Sequence, residues 1–281
     1  MYADFIKLLG WQIVSIDGVN IFFKHFPFLG GMAKMHRPEK LPDIKKLSAI
    51  LKEYKIRSVS VEPDSSVEQK KFTVWIKKLA KNITINKTNF LPTKTIHIDL
   101  TGSEDEIFKR FSEAKRRAVR RAQKNNLRIY EPARHASQGD AGGSTNIKDL
   151  IKIKNKSAGL FGFVTTTGVS ELWQTFAPDH AAILLAQTNM GNSHVVGGVL
   201  LLFWQTTAYY WIAGATREGK KLFAPTLLVW EALKLAKNRG CKQFDFVGIW
   251  DERMPNKFHD WKGFTKFKDG FGGAELYYPI N

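Results

Sequence analysis

Cysteine is almost absent from this chain of 281 residues, which contains only Cys241. A single thiol excludes a disulfide within the chain and a zinc site built on thiolates. The seven histidines are scattered, without the His-x-x-x-His or His/carboxylate spacing of metal sites. We therefore expect no metal and no cofactor, and a reducing compartment fits the sequence.

Long hydrophobic runs are also missing. The longest, Val195 to Trp204, is far shorter than the roughly 20 apolar residues that a membrane-spanning helix requires. The start, Met1 to Gly10, is too short and too charged for a signal peptide. These features predict a cytoplasmic protein, either free or peripheral at the inner face of the membrane.

Acidic residues are scarce relative to basic ones. Lysine and arginine number 43 against 26 for aspartate and glutamate, which gives a formal net charge of +17. This excess favours a polyanionic partner such as RNA, a phosphorylated substrate or an acidic membrane surface, although a generic basic surface has the same signature. With 43% apolar residues, the chain is nevertheless a folded globular protein.

Helical and strand patterns alternate along the sequence, which predicts an α/β fold with mixed sheets. A Gly/Ser/Ala-rich stretch, Pro132 to Asn146, indicates a domain boundary near residue 135. The predicted helices are Ala3–Leu9, Pro42–Tyr54, Ser65–Leu79, Ser103–Asn125, Ile147–Ser157, Val169–Phe176 and Pro225–Asn238. The predicted strands lie in Trp11–Phe23 (a hairpin around Asp17-Gly18), Phe26–Arg37, Ile56–Val61, Thr95–Leu100, Leu127–Tyr130, Ala181–Gln187, His194–Trp204, Ala208–Ala213 and Lys242–Ile249.

The most regular predicted helix, Ser103 to Asn125, has one basic face. Ser103 and Glu106 form a capping box at its start. The helix is either a solvated amphipathic helix or a phosphate-binding ridge for RNA or a membrane surface. The basic face lacks interleaved aromatic residues, so it does not favour stacking of single-stranded bases. The candidate phosphate-binding residues are Arg116, Arg117, Arg120 and Arg121.

The stretch from Phe244 to Gly273 combines charged and aromatic residues in a way that suggests a site. Asp245 lies within an apolar strand, and Lys268 stands between Phe267 and Phe271. A lysine shielded by aromatic residues is either the structural partner of a carboxylate or a fixed positive charge at a site. Likewise, Asp245 is either a general base or a carboxylate paired with a lysine or with backbone amides.

Strand Tyr209–Ala213, the loop Thr216–Lys221, helix Pro225–Asn238 and strand Phe244–Ile249 together resemble the core of the GNAT acyltransferase fold. Members that use acyl-CoA bind its pyrophosphate on a glycine-rich loop before the helix. Here that loop has one glycine and an acid, which disfavours an ordinary CoA site.

A second resemblance rests on segments that follow one another along the chain: Trp11, Arg120-Arg121-Ala122, Tyr209–Ala215, Pro225–Trp230, Phe244–Gly248 and Phe267–Gly273. Through these segments the chain resembles more closely the Fem family, the tRNA-dependent aminoacyltransferases that build peptidoglycan cross-bridges. This resemblance implies two GNAT-like domains packed side by side with a cleft between them. The first would be residues 1–135 completed by 270–281, and the second residues 136–269. The chain length of 281 residues predicts that the coiled-coil arm that some members insert is absent.

The family resemblance also implies the partners: an aminoacyl-tRNA as donor and a lipid-linked or nucleotide-linked muropeptide precursor as acceptor. Lys268 matches the family lysine, which implies that it stabilises the transition state or holds the acceptor. We expect Arg37, Tyr210, Trp173 and Phe271 to bind substrate. Trp173 stands where members have a tyrosine, and Gln12 and Ile13 replace a lysine that follows the first tryptophan.

Two alternatives to this interpretation remain at the level of sequence. One is a GNAT-like N-acyltransferase with another acyl donor, such as acyl-CoA. The other is a nonenzymatic basic RNA-binding protein, which the net charge and the helix Ser103 to Asn125 would explain but Lys268 and its neighbours would not.

Overall fold

The structure is a computed structural model that describes residues 1–125, 127–132, 142–157, 165–189, 193–257 and 259–281. Unit 1 comprises Met1–Thr95, Gly248–His259 and Glu275–Asn281, and unit 2 comprises Ile96–Val247 and Asp260–Ala274. The boundary predicted at residues 135 and 136 lies outside the described residues and stays a prediction.

Unit 1 contains a mixed sheet whose strand order in the described residues is β1-β2-β3-β4-β5. Strands β1 to β3 are antiparallel, and β3, β4 and β5 are parallel. The predicted hairpin forms around Asp17-Gly18, with Ile16 paired to Val19. The elements are α1 (Tyr2–Leu8), β1 (Gln12–Ile16), β2 (Val19–Phe26), β3 (Gly30–His36), α2 (Ile44–Glu53), β4 (Ile56–Glu62), α3 (Gln69–Leu79) and β5 (Thr84–Ile85).

The two faces of this sheet differ in composition. On one face, Met35 and Val59 pack into a hydrophobic core with Leu47 of α2 and Phe72 of α3. Because successive side chains of a strand point to opposite faces, the neighbouring positions on β3 and β4 lie on the other face. These positions are polar, and they are Lys34, His36, Ser60 and Glu62.

Unit 2 contains most of a second mixed sheet, with the order β12-β6-β11-β10-β9-β8-β7 in the described residues. Strands β10 and β11 are parallel. The elements after β5 are β6 (Lys94–Asp99), α4 (Glu104–Lys109), α5 (Glu113–Lys124), β7 (Leu127–Tyr130), α6 (Gly142–Ser157), α7 (Val169–Phe176), β8 (Ala181–Thr188), β9 (Val195–Trp204), β10 (Thr207–Ala215), α8 (Arg217–Lys221), α9 (Ala224–Asn238), β11 (Gln243–Asp245), α10 (Lys262–Asp269) and β12 (Ala274–Tyr277).

Two adjacent glycines show how helices cover this sheet. A Cβ atom on Gly197 would lie 3.2 Å from Leu228 of α9, and one on Gly198 would lie 3.0 Å from Leu150 of α6. Since consecutive strand positions face opposite sides, α9 and α6 cover opposite faces of the sheet. The close approach leaves little space for a side chain at either glycine.

The predicted single helix from Ser103 to Asn125 was wrong, because the structure has two helices there. The predicted capping box of Ser103 and Glu106 does start α4. The chain then turns before α5, which begins with Ser112 accepting a hydrogen bond from the amide of Lys115. The turn buries Phe111, whose ring centroid lies 5.5 Å from that of Trp230 and 5.0 Å from that of Phe271. A second cap and a buried aromatic contact therefore interrupt the helical pattern.

The strand predicted from Lys242 to Ile249 was too long, because β11 ends at Asp245. The Asp245 carboxylate accepts a hydrogen bond from the amide of Val247 at 2.6 Å, and Val247 has a φ of 68°. A positive φ is unfavourable for a β-branched residue, so the side-chain contact and its surroundings hold a turn that periodicity does not predict. The predicted loop Thr216–Lys221 likewise contains the short helix α8.

The fold class predicted from the sequence, mixed α/β with two mixed sheets, is confirmed. The longest described helix, α6, has 16 residues, which is shorter than the roughly three heptads that a coiled-coil arm requires. Within the described ranges, the structure contains no helix of the length and apolar character that a bilayer crossing demands.

Candidate functional site

Helix α10 places Lys268 beside the end of strand β11. Its Nζ donates a hydrogen bond to the backbone oxygen of Phe246 at 2.9 Å. Burial lowers the pKa of Lys268 to about 8, while the neighbouring Asp245 charge acts in the opposite direction. At neutral pH, Lys268 is therefore a mainly protonated, shielded cation next to a turn of backbone.

Asp245 is a supported carboxylate. Its side chain is 6% exposed, and Oδ1 accepts the hydrogen bond from the Val247 amide. Its Oδ2 lies 3.3 Å from Nε2 of His97, which pairs with Asp245 across strands β6 and β11. The structure thus brings the two predicted catalytic residues together and adds His97, which the sequence did not single out. The role of Asp245 as a general base stays a prediction.

Besides Lys268, the partly buried lysines of unit 2 include Lys154 and Lys115. Lys154 on α6 adds a like charge that lowers the pKa of Lys268, and burial and Lys220 lower the pKa of Lys154 itself. Nζ of Lys115 lies 3.6 Å from the centre of the Phe267 ring, and burial lowers the pKa of Lys115 to about 8. Several amines thus carry positive charge on or next to α10, which favours an anionic ligand.

The predicted substrate-binding aromatic residues lie mainly in the core of unit 2. Tyr210 and Phe271 are both buried, with ring centroids 5.5 Å and 5.7 Å from that of Phe246, the residue that holds Lys268. Burial raises the pKa of Tyr210 far above its usual value, so the phenol stays neutral. Trp173 is half-buried on α7. Direct substrate contact by these three residues stays a prediction.

The four predicted phosphate-binding arginines on α5 differ in their surroundings. Arg116 donates hydrogen bonds to the backbone oxygens of Lys109, at 2.9 Å, and Phe111, so it closes the end of α4. Arg117 forms an ion pair with Glu113. The other two arginines are exposed: Arg120 lies 5.8 Å from the Phe108 ring centre and Arg121 lies 6.0 Å from that of Phe223. Of the four, Arg120 and Arg121 are the better placed to meet a phosphate.

Backbone amides of the loop before α9 donate hydrogen bonds to other groups of the protein. The amide of Thr216 donates to the Val196 oxygen at 2.8 Å, and the Gly219 amide donates to the Thr216 hydroxyl at 3.0 Å. A Cβ atom on Gly219 would lie 2.3 Å from the Val196 oxygen, so the glycine serves close packing. These contacts occupy amides that a diphosphate would need.

Unit 1 holds a second cluster of ionisable groups, on the polar face of its sheet. Lys34 is 8% exposed, and its Nζ lies 4.0 Å from the Trp11 ring centre and 5.4 Å from that of Phe90. Burial lowers the pKa of Lys34 to about 8, against the opposing effect of Glu62. The ammonium group is therefore held between aromatic rings, where the cation–π attraction offsets part of the lost hydration.

Next to Lys34, the polar groups of Glu62, His36 and Ser60 are incompletely satisfied. Oε1 of Glu62 accepts a hydrogen bond from the Leu91 amide at 2.7 Å, and Oε2 lies 3.8 Å from Nε2 of His36. The Tyr2 hydroxyl contacts Nδ1 of His36 at 2.6 Å. Burial raises the pKa of Glu62 and lowers that of His36 to about 3.

Three buried atoms of this cluster have no hydrogen-bond partner among the described residues: Nε2 of His36, Oε2 of Glu62 and Oγ of Ser60. Buried polar atoms in folded proteins are nearly always hydrogen-bonded, so such a group of exceptions needs an explanation. A polar ligand that reaches this face would provide one. No sequence pattern predicts this cluster, because only the parallel pairing of β3 and β4 aligns Lys34 with Ser60 and His36 with Glu62.

Arg37, predicted to bind substrate, lies at the end of β3. Its guanidinium donates hydrogen bonds to the backbone oxygens of Pro63, at 3.2 Å, and Pro92. It also stacks 3.3 Å from the centre of the Tyr278 ring. These contacts attach the last residues of the chain to unit 1, and a role of Arg37 in substrate binding stays a prediction.

Known structures are similar to this chain in fold, and a known protein family matches part of its sequence. Residues 166–276 match the model of the FemAB family. A crystal structure of FemX is similar with a TM-score of 0.73 and 17% identity, covering 99% of this chain and 89% of that chain. The C-terminal domain of a putative lysylphosphatidylglycerol synthetase from Agrobacterium fabrum has a TM-score of 0.60 and 10% identity, covering 99% and 86%. A GCN5-related N-acetyltransferase from Kribbella flavida has a TM-score of 0.52 and 10% identity, covering 100% and 94%. No curated protein sequence matches the chain.

The similar structures define the class of fold, which is the GNAT-like α/β fold. The resemblance to the Fem family is confirmed, and the family match includes Asp245, Lys268 and their connecting turn. Together, the family match and the fold support a transferase.

Proposed function

We propose that the protein is an aminoacyltransferase, which moves an amino acid from an aminoacyl-tRNA to the amine of a peptidoglycan precursor peptide. The observation that carries this proposal is the shielded Lys268 ammonium, bonded to the Phe246 oxygen beside Asp245 within the segment that matches the FemAB family. Such a fixed cation suits a reaction in which negative charge develops on a carbonyl oxygen.

The proposed reaction requires positioning more than activation, because the ester of a charged tRNA is already reactive. The acceptor amine attacks the ester carbonyl, the C–N bond forms and the ester C–O bond breaks. The amine loses one proton, and the departing ribose oxygen gains one, with a substrate phosphate or Asp245 as the carrier. Lys268 would stabilise the oxyanion of the tetrahedral intermediate.

The basic groups of unit 2 suit the donor in this proposal. Arg120 and Arg121 are exposed on α5, and Lys154 and Lys115 lie near α10 or against its aromatic residues. Phosphates of a tRNA would neutralise such charges, and the binding would weaken as salt rises. Charged tRNA is a cytoplasmic substrate, so the proposal includes a cytoplasmic site of action.

The polar face of unit 1 suits part of the acceptor. Lys34 offers a positive charge, and Glu62 offers an acceptor for an amine or amide hydrogen. A precursor peptide contains carboxylates, amides and an amine, which together would satisfy these buried groups. Arg37, Tyr210, Trp173 and Phe271 remain proposed substrate-binding residues.

The internal hydrogen bonds of the loop Thr216–Lys221 argue against acyl-CoA as the donor. Tight binding of CoA would reverse this preference. A nonenzymatic RNA-binding protein would bind tRNA with no preference for the charged form and would show no transfer.

The experiment is transfer of radiolabelled amino acid from a bulk charged-tRNA pool to lipid-linked precursor, nucleotide-linked precursor and, as a lipid comparison, phosphatidylglycerol. We expect label on a muropeptide precursor, lost in Lys268→Ala and retained in Lys266→Ala, an exposed lysine on the same helix. Transfer to phosphatidylglycerol alone would reassign the acceptor, and full transfer by Lys268→Ala would contradict the mechanism.

A further inference from the structure

The turn between β2 and β3 exposes two large apolar side chains. Phe28 is fully exposed (101%), and Leu29 is 72% exposed. The turn is closed by the Leu29 amide, which donates to the Pro27 oxygen at 2.8 Å, and by the pairing of Phe26 with Gly30. Phe28 has a φ of 66°, which is unusual for a bulky residue. We define residues 26–30 as the hairpin tip.

Basic side chains lie on both sides of the hairpin tip. Nζ of Lys24 donates to the Leu9 oxygen at 3.0 Å, where α1 ends, and lies 5.9 Å from the centre of the Phe26 ring. On the other side, the Arg57 side chain lies against Gly30, since a Cβ atom there would be 2.5 Å from Cδ of Arg57. Leu8, which is 58% exposed, adds a third apolar side chain at the end of α1.

We propose that the hairpin tip inserts into the interface of a lipid bilayer that contains anionic lipids. Phe28 and Leu29 would enter the boundary between headgroups and acyl chains, and Lys24 and Arg57 would meet lipid phosphates. The formal net charge of +17 adds a long-range attraction to such a surface.

A bilayer fits this tip better than a protein partner does. Stable protein–protein interfaces bury on the order of 1,600 Å² and require complementary shape. The tip offers a few exposed apolar side chains, Phe28, Leu29 and the neighbouring Leu8. A bilayer accepts projecting apolar groups without shape complementarity, and its anionic phosphates complement the flanking bases.

Membrane binding at this tip does not depend on the proposed transferase activity. It uses only residues of unit 1 and can be measured with the full chain in the absence of tRNA and precursor.

The first test is sedimentation of the protein with phosphatidylcholine vesicles that contain or lack phosphatidylglycerol. We expect binding that requires phosphatidylglycerol and weakens with salt. The double variant Phe28→Ser with Leu29→Ser should weaken binding by at least about tenfold, because burial of an apolar side chain is lost. The matched control is Trp204→Ser, which removes an aromatic residue that is 50% exposed at the end of another hairpin.

A second test reports insertion directly. Cys241 is the only cysteine and is buried, so Leu29→Cys in a Cys241→Ala background gives one accessible thiol for an environment-sensitive fluorophore. We expect a blue shift when phosphatidylglycerol vesicles are added. The same label at Trp204→Cys should show no shift. Unchanged thermal unfolding would establish that each variant is folded.

Three outcomes would overturn the proposal. The first is failure of the wild-type protein to sediment with phosphatidylglycerol vesicles, and the second is binding of the double serine variant that equals that of the wild type. A concentration-dependent dimer that the double variant abolishes, without vesicle binding, would show that the tip contacts a second copy of the chain.

Discussion

The two units differ in how far the protein itself satisfies its buried ionisable groups. In unit 2, Asp245 accepts a backbone hydrogen bond and Lys268 donates to a backbone oxygen, while Nε2 of His97, 3.3 Å from Oδ2 of Asp245, is the one atom of this site without a hydrogen-bond partner among the described residues. In unit 1, Lys34 packs against aromatic rings, and Oε2 of Glu62 has no hydrogen-bond partner within the described residues.

This difference distinguishes two kinds of polar group. A buried group that the protein itself satisfies is held in place and stabilises the fold, whereas a buried group left unsatisfied destabilises it until a ligand arrives. We therefore expect substitutions in unit 2 to cost stability or activity, and some substitutions in unit 1 to increase stability while they weaken binding.

The largest expected effect concerns Lys268. Replacing it with alanine should lower the rate of transfer by about 100-fold or more, the cost of removing one stabilising donor at a developing oxyanion. Since the pKa of Lys268 is about 8, the cation is lost above that pH, and wild-type kcat should fall as pH rises through 8. The residual activity of the alanine variant should not show this fall. A matching fall in the variant would assign the titration to another group.

Asp245→Ala should be the most destabilising of the substitutions considered. It leaves the Val247 amide without its acceptor and opens the positive-φ turn, so we expect the free energy of unfolding to fall by about 2 kcal/mol. Denaturant unfolding would measure it, with Asp260→Ala as the control at a solvent-exposed acid. Equal stability of the two variants would mean that the contacts of Asp245 make no net contribution to the free energy of unfolding.

Lys34→Met should stabilise the protein at pH 7 by about 1 kcal/mol, since it removes a buried ammonium that lacks full hydration. The folded-state pKa of Lys34, about 8, lies below the unfolded value of about 10.4. The unfolded state therefore binds more protons between these values, and wild-type stability from this group rises with pH across that window. The advantage of the methionine variant should shrink as pH rises, whereas Lys45→Met, at an exposed lysine, should show no such trend.

Glu62→Gln should have the smallest effect on stability. Burial raises the folded-state pKa of Glu62, so the carboxyl contributes stability below its unfolded pKa and loses it as pH rises through the folded pKa. Glutamine keeps an acceptor for the Leu91 amide and removes the charge, so a gain of about 0.5–1 kcal/mol at pH 7 is expected. The same variant should also show a raised KM for the acceptor with little change in kcat. Lower stability of the variant would show that the carboxylate is already satisfied.

Much of the fold follows from local patterns. The hairpin at Asp17-Gly18 formed as predicted because that dipeptide favours the turn, and helix Val169–Phe176 formed because its apolar periodicity is regular. The prediction of one helix from Ser103 to Asn125 was wrong at its centre because the burial of Phe111 and the cap at Ser112 interrupt the helical pattern.

The candidate site of unit 2 could be predicted in part. Lys268 and Asp245 stood out because a charged residue among aromatic and apolar residues is conspicuous in a sequence. His97 did not, because its position beside Asp245 depends on the pairing of β6 with β11, which joins residues far apart in the chain. Lys115 and Lys154 were missed for the same reason.

The sequence by itself determined the composition of the protein, the order of most of its strands and helices, and the presence of an acid and a shielded lysine near its end. Only the tertiary structure decided which of the many lysines are buried and which carboxylates are satisfied. Desolvation and hydrogen-bond geometry depend on contacts between distant strands and helices, whereas local periodicity depends on neighbours in the chain. For that reason Lys34, which looks like any other strand lysine in the sequence, became a buried cation next to Glu62.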